Sequence, residues 1–358
     1  MGLFPKERDL TRPPERVELF VDASAMGARA VEVEVRLDAF LAQHLKWRSR
    51  TSIQRLIKGG WLLVDASTPD HPHGTGELQR ETRPGRRLKH GSRVVVVIPP
   101  DLRLPAFDET AGALSILYED AACVAVEKPA GLPVHPSGRH ARDTLIQRVH
   151  AHYRALIEER REAPRLCHRL DRETSGIVLV AKEPRAHRAL ARQFEERAVE
   201  KEYLAIVWGL PAESEGTIEL ALGPARASSV GLKVAVAADG SPSRTGWRVV
   251  ERRADCALLA CRPFTGRQHQ IRVHLAAIGH PLVGDKLYGA DEDLFRRGVA
   301  GELSPRDLRD LGMARHALHD HRLAFVSPAT GTRVEVVSPL PEDMRAFLER
   351  ESVEESSG

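Results

Sequence analysis

The sequence predicts an α+β protein of two domains, a small N-terminal one and a larger C-terminal one. Three observations carry this. The chain has 358 residues, more than one hydrophobic core ordinarily organises. Its apolar residues mostly alternate or run in short blocks, as strands do, with fewer stretches at helical spacing. Pro99, Pro100 and Pro105 enclose a charged stretch that reads as a linker between the two parts.

Composition narrows the class. Hydrophobic residues make up 42% and charged residues 29%, ordinary for a globular protein. No apolar run approaches the roughly 18 residues that span a bilayer, and no secretory signal is visible, so a cytoplasmic protein without membrane partners is expected. Cys123, Cys167, Cys256 and Cys261 form no Cys-x-x-Cys pair and read as reduced core residues. The net charge of +3 is uneven. Residues 1–105 hold 18 Lys+Arg against 13 Asp+Glu, whereas residues 342–358 carry a net −4. A basic N-terminal part permits a polyanionic partner without demanding one.

Residues 1–30 are rich in proline and charge and are expected to be a loosely held arm. A first domain is expected over 31–99. Leu37, Phe40, Leu41 and Leu45 recur at helical spacing, as do Ile53, Leu56 and Ile57 before Gly59 and Gly60 stop the second helix. Strands are expected at 61–64 and 93–98, around a long polar loop, 65–83. Lys46, Arg48, Arg50, Arg55 and Lys58 come without an acid between them and make the second helix and its approach basic. Taken alone, such a helix is more often a solvated face.

After a linker at 100–112, the second domain is expected over 113–348, with an acidic tail, 349–358, disordered from about 351. Its predicted strands are 115–118, 123–126, 177–181, 201–209, 245–250, 257–262, 318–325 and 333–337. Helices are expected at 144–155, 186–197, after Gly266, and from Pro341.

The chemistry concentrates in one loop. Residues 168–176 pack His168, Arg169, Asp171, Arg172, Glu173, Thr174 and Ser175 directly before the apolar run of Ile177 to Ala181. A polar loop held by a buried strand is a common place for catalysis. Phosphate-binding loops, dinucleotide fingerprints and the nucleophile elbow are all missing from the sequence. His269 and His274 are badly spaced for one helical face, and the trio His316, His319 and His321 reads as structural, so no metal is expected. What remains is a carboxylate, arginines and a tyrosine. Asp171, between two arginines, is favoured in the ionised form that can act as nucleophile or base. Tyr203 on its strand reads first of all as an ordinary half-buried aromatic. Arg267, at a strand-to-helix turn, reads as a carboxylate partner or a surface cation.

The motifs go further. His-Arg-Leu-Asp-Arg-x-Thr-Ser-Gly at 168–176 follows Lys-Pro-x-Gly-Leu-Pro-Val-His at 128–135. Lys-x-Tyr-x-Ala-x-Val-x-Gly begins at Lys201, Thr-Gly-Arg-x-His-Gln-Ile-Arg-Val-His at Thr265, and His-Pro-Leu-Val-Gly-Asp-x-x-Tyr-Gly at His280. In this order they resemble the RluA family of RNA pseudouridine synthases. The order of elements over residues 34–98 resembles the Alpha-L RNA-binding motif, apart from the longer loop at 65–83.

The resemblance implies a mixed, mainly antiparallel sheet in the catalytic domain, preceded by a small α/β RNA-binding module. It implies isomerisation of uridine to pseudouridine in structured RNA, most readily large-subunit ribosomal RNA, by a monomer. It makes Asp171 the catalytic aspartate, Tyr203 the ring that stacks on the target base, Arg267 the basic partner of the aspartate, and Arg169 the side chain that replaces the flipped uridine. The reaction breaks the N-glycosidic bond, turns the uracil and rejoins it through carbon 5, so neither cofactor nor metal is expected. Whether the aspartate attacks the ring or the sugar, or assists glycal formation, stays open. Three other readings compete: a transfer RNA pseudouridine synthase, a non-catalytic RNA-binding assembly factor, and a glycosidase. The second has no use for Asp171, Tyr203 and Arg267 together. In the third, Asp171 and Glu173 lie too close on one loop to flank a sugar.

Overall fold

The computed structural model describes residues 16–23, 29, 33–45, 50–65, 76–97, 112–136, 143–160, 163–289 and 291–355. The chain forms two compact units: residues 1–107 with 158–161, and residues 108–157 with 162–358.

The first unit contains β1 (Arg16–Phe20), β2 (Glu34–Arg36), α1 (Leu37–His44), α2 (Arg50–Lys58), β3 (Leu62–Asp65), β4 (Gln79–Glu81), β5 (Arg87–Lys89) and β6 (Arg93–Val97). One sheet runs β1-β6-β3-β4, and β2 pairs with β5. Leu37, Phe40 and Leu41 of α1 and Ile53, Leu56 and Ile57 of α2 are buried against Val94 and Val96. Burial of each such side chain contributes about 1.5–3 kcal/mol. Gly60, at φ 73°, follows the last turn of α2 in a conformation that suits glycine.

The predicted N-terminal arm is partly structured. β1 pairs with β6 throughout its length, and Val17, Leu19 and Val21 join the core. Their alternation with Arg16, Glu18 and Phe20 is a strand pattern that the charge and proline around it obscured.

The second unit is built on β7 (Ser115–Glu119), β8 (Cys123–Lys128), α3 (Leu145–His152), α4 (Arg154–Arg160), β9 (Arg165–Leu166), β10 (Ser175–Ala181), α5 (Pro184–Glu195), β11 (Glu200–Trp208), β12 (Glu215–Glu219), β13 (Leu222–Pro224), β14 (Val234–Val236), β15 (Arg244–Arg252), β16 (Cys256–Pro263), α6 (Gln270–Ala277), α7 (Asp293–Ala300), α8 (Pro305–Leu311), β17 (Leu318–Val326), β18 (Arg333–Val337) and α9 (Glu342–Glu355). The main sheet has the order β12-β15-β16-β11-β17-β10-β8-β7, with β18 beside β17 and β9 beside β10. β10 and β17 pair in parallel, and the other pairings in this sheet are antiparallel. The sheet is therefore mixed and mainly antiparallel, as expected.

Period-two alternation gives the sheet two buried faces. Val124, Val126, Val178 and Val180 point to one core with Leu145 and Val149 of α3 and Ile271 and Leu275 of α6. Cys123, Ala125, Ile177, Leu179 and Ala181 point to the other, with Ala186 and Leu190 of α5. β10 is buried at every residue, so the loop before it is carried on the most enclosed strand of the unit.

Two local expectations change. The single helix predicted at 144–155 is two, α3 and α4, with Tyr153 at the break, where its hydroxyl donates to Glu119 Oε1 at 2.8 Å. The predicted tail is helical as far as Glu355, because Met344, Phe347 and Leu348 dock α9 into a core with Ile206 and Val283. α7 and α8 lie outside the expected elements. Their sequences are charged and short, a weak helical signal.

Candidate active site

The polar loop divides its side chains between support and cleft. His168 accepts the Leu179 N–H at 3.0 Å and stacks on Phe194, and burial pushes its pKa down to about 3. Thr174 Oγ1 meets His316 Nε2 at 2.8 Å, and Ser175 Oγ meets His319 Nδ1 at 2.9 Å. Both Glu173 oxygens accept from Lys286, at 2.9 and 3.0 Å. Lys128, fully buried, donates to the carbonyls of Pro129, Leu132 and Arg172, at 2.9, 3.0 and 2.9 Å. It ties the Pro/Gly-rich turn to the residue after Asp171. Gly176 is required by close approach: at φ 115°, a Cβ would lie 2.3 Å from the Asp320 carbonyl oxygen.

Asp171 and Arg169 are left to face a cleft of about 1140 Å³, which Tyr203, Arg267 and Phe264 also line. Eight Lys/Arg and four Asp/Glu line it, an excess that suits a polyanion. Among the described residues Arg169, Arg197 and Arg267 make no ion pair, so their charge is available to the cleft.

The partner of Asp171 is Arg272. Arg272 Nη1 lies 3.1 Å from Asp171 Oδ2, and His269 Nε2 lies 3.7 Å from the same oxygen. Arg272 is itself anchored, with Nε and Nη2 each 2.8 Å from the two oxygens of buried Asp285. Asp285 also accepts the N–H groups of Leu287 and Tyr288, and Arg272 beside it holds its carboxyl far below the usual range despite burial. The guanidinium stacks over Tyr288, whose hydroxyl meets His269 Nδ1 at 2.7 Å. Burial pushes His269 down to about 4, so this ring is neutral at ordinary pH.

This corrects the pairing expected for Arg267. That residue lies in the turn before α6, where its N–H donates to Gln270 Oε1 at 3.1 Å and its side chain lines the rim. Arg272, in the first turn of α6, is buried, as is every residue from Gln270 to Leu275. No signal in the sequence singles Arg272 out: Asp285 stands beside Lys286 in a turn-rich loop, and only its burial in the fold calls for a buried cation.

Tyr203 lies on β11, buried in the core face and open to the cleft. Burial and the nearby Asp320 and Asp171 raise its hydroxyl well above the usual value. The structure thus brings Asp171, Arg169, Tyr203 and Arg267 to one cleft, from elements spread over a hundred residues. The expected basic set is only partly visible. Arg55 and Lys58 are exposed on α2 opposite its buried face, Arg50 begins the helix, and Lys46 and Arg48 lie outside the described residues.

None of the four cysteines forms a disulfide. Among the described residues no group of three or more His, Cys, Asp or Glu is arranged to hold a metal ion, and no helix is long and apolar enough to cross a membrane.

Residues 122–277 match the family model for RNA pseudouridylate synthase. The chain is 35% identical over 315 residues to the RNA pseudouridine synthase YlyB of Bacillus subtilis (strain 168), covering 88% of this chain and 93% of that protein. It is 36% identical over 314 residues to the ribosomal large subunit pseudouridine synthase D of Neisseria meningitidis serogroup B, covering 87% and 78%. Human RNA pseudouridylate synthase domain containing 1 superposes with a TM-score of 0.52 at 29% identity, over 65% of this chain and 87% of that one. A mixed sheet carrying the Asp171 loop, together with relatives that match over most of both chains, places this protein in the RluA family of RNA pseudouridine synthases, isomerases that turn uridine into pseudouridine in RNA.

Proposed function

We propose that the substrate is large-subunit ribosomal RNA, and that Asp171 acts on a uridine flipped out of it into the cleft. The observation that carries the reading is the chain Asp171–Arg272–Asp285, which fixes one carboxylate at the cleft beside Tyr203. Relatives named ribosomal large subunit pseudouridine synthase D support the choice of RNA.

A stacked uracil cannot turn about its sugar, so the base must leave the stack at a cost of a few kcal/mol. Arg169, exposed at the cleft, takes the vacated place. Tyr203 offers the extruded ring a stacking face, worth about 1–3 kcal/mol. Asp171, oriented by Arg272, acts as the glycosidic bond breaks and the uracil rejoins through carbon 5. Arg267 and Arg197 at the rim hold phosphates, and Arg55 and Lys58, with Lys46, Arg48 and Arg50, bind further phosphates from the first unit. We read the protein as a cytoplasmic monomer.

The test is pseudouridine mapping of large-subunit ribosomal RNA and transfer RNA incubated with the protein. Modification confined to transfer RNA would replace this substrate with the other. Asp171→Asn should abolish isomerisation while RNA affinity stays within a few-fold; turnover near wild type would remove Asp171 from its role.

A further inference from the structure

Asp320 is a buried acid that the constellation above does not use. It is fully enclosed on β17, and neither carboxylate oxygen makes a well-formed hydrogen bond among the described residues. A buried polar group left this way costs free energy, so its presence needs a reason. The strand register supplies one. Asp320 pairs directly with Tyr203 across β11–β17, and the register shifts at that point, with Glu202 opposite Arg322 and His321 left over. Residues opposite each other on neighbouring strands put their Cβ atoms roughly 4.5–5.5 Å apart on the same face. Bulges of this kind re-aim side chains beside active sites.

The groups around Asp320 are few. From β11 come the Tyr203 hydroxyl and the Lys201 ammonium, and these two act on it. From β10 comes Gly176, without a side chain. On its own strand, His319 and His321 turn to the Ser338 carbonyl and Arg322 to Glu200 and Glu335. Asp171 reaches Tyr203 from the cleft side.

We propose that Asp320 is a positioning residue for the isomerisation, setting from behind whether the Tyr203 hydroxyl presents its hydrogen or its oxygen to the flipped uracil. The inference rests on the reading of Tyr203 as a cleft residue facing the base. The reaction breaks C1′–N1 and forms C1′–C5, so carbon 5 loses its proton and N1 gains one, with no net change. As the phenol oxygen receives the proton from carbon 5, its own hydrogen passes to an ionised Asp320, so the tyrosine stays neutral, and Asp320 returns that proton through the phenol as N1 gains one. A neutral Asp320 donates to the phenol oxygen and turns the hydroxyl hydrogen toward the cleft. Burial pushes the Asp320 pKa up to about 8, so the two states exchange within the working range of pH.

The test is single-turnover tritium release from a large-subunit ribosomal RNA transcript carrying 5-tritiated uridine, followed from pH 6 to 9.5 with the full chain. The wild-type rate should rise through a step near pH 8. Asp320→Asn should lose the step and run at least tenfold slower above pH 8, with an unchanged dissociation constant for RNA. Tyr203→Phe, which keeps the ring, should also lose the step, and adding Asp320→Asn to it should slow it no further. The inference is overturned if Asp320→Asn keeps the wild-type profile, if it slows Tyr203→Phe as much as wild type, or if Tyr203→Phe retains the step. The wild-type control separates the two readings, because failure of the uridine reading shows there and failure of this one only in the variants.

Discussion

Arg272 joins Asp171 to Asp285: one guanidinium nitrogen lies 3.1 Å from the cleft carboxylate, while two others lie 2.8 Å from the buried one. The planar fork makes this possible, since it serves two carboxylates from one rigid group. Asp285 is held in turn by the N–H groups of its own loop. The position of Asp171 therefore depends on α6 and on the loop after it, not only on its own loop.

That dependence predicts an asymmetry between arginine substitutions. Arg272→Ala leaves Asp285 buried without its cation and should cost about 3–5 kcal/mol in urea unfolding. Arg272→Lys keeps a charge but not the fork, and should fold while turning over at least tenfold more slowly. Arg267→Ala should leave unfolding unchanged and weaken RNA binding. Equal loss of stability from Arg267→Ala and Arg272→Ala would contradict the assignment.

Gly176 is where the loop strand meets β17. Gly176→Ala puts a methyl against the Asp320 backbone, 2.3 Å from its oxygen, at a φ of 115°. The backbone strain alone should cost about 1–3 kcal/mol, and the clash adds to it. Denaturant titration should show the loss, and turnover should fall with it because the displaced strand carries the Asp171 loop. An unchanged midpoint would mean that β10 and β17 are not packed this closely.

Stability should also respond to Asp320. Burial pushes its carboxyl up to about 8 in the folded chain, against about 4 for an aspartate in the unfolded one. Between these values the folded protein holds a proton that the unfolded chain has released, so this contribution to stability falls as pH rises through that window. Asp320→Asn carries no such proton. Its melting temperature should pull ahead of wild type by a margin that widens from pH 5 to pH 8. A margin independent of pH would show that Asp320 is ionised throughout.

The first unit should act through charge. Arg55→Ala with Lys58→Ala should weaken RNA binding and flatten its dependence on log salt by about 0.7–0.9 for each phosphate that is no longer neutralised. Turnover at saturating RNA should hold, because neither residue is placed at the cleft. An unchanged salt slope would leave α2 a solvated face.

Much of this was written in the chain itself. The alternation of Val124 with Ala125 and the run from Ile177 to Ala181 name strands, because pleated backbones turn successive side chains to opposite faces. The polar loop before Ile177 pointed to a candidate site, since loops carried on a rigid strand are where chemistry is usually placed. The motif order carried the family, and with it the expectation of a site at Asp171, Arg169 and Tyr203, which the fold gathers at one cleft.

Partner choice was not legible. The sequence places Arg267 and Arg272 five residues apart and offers no reason to prefer the second. Only the start of α6, which turns Arg272 inward and leaves Arg267 on the rim, decides between them. Asp320 is plainer still. In the sequence it is one acid among histidines; parallel pairing with Gly176 and antiparallel pairing with Tyr203 put it across from that tyrosine on the next strand. Local periodicity fixes which residues face a core, because it depends on neighbours along the chain. Which buried charges meet depends on strand order and register between distant segments, and that is set only when the sheet closes.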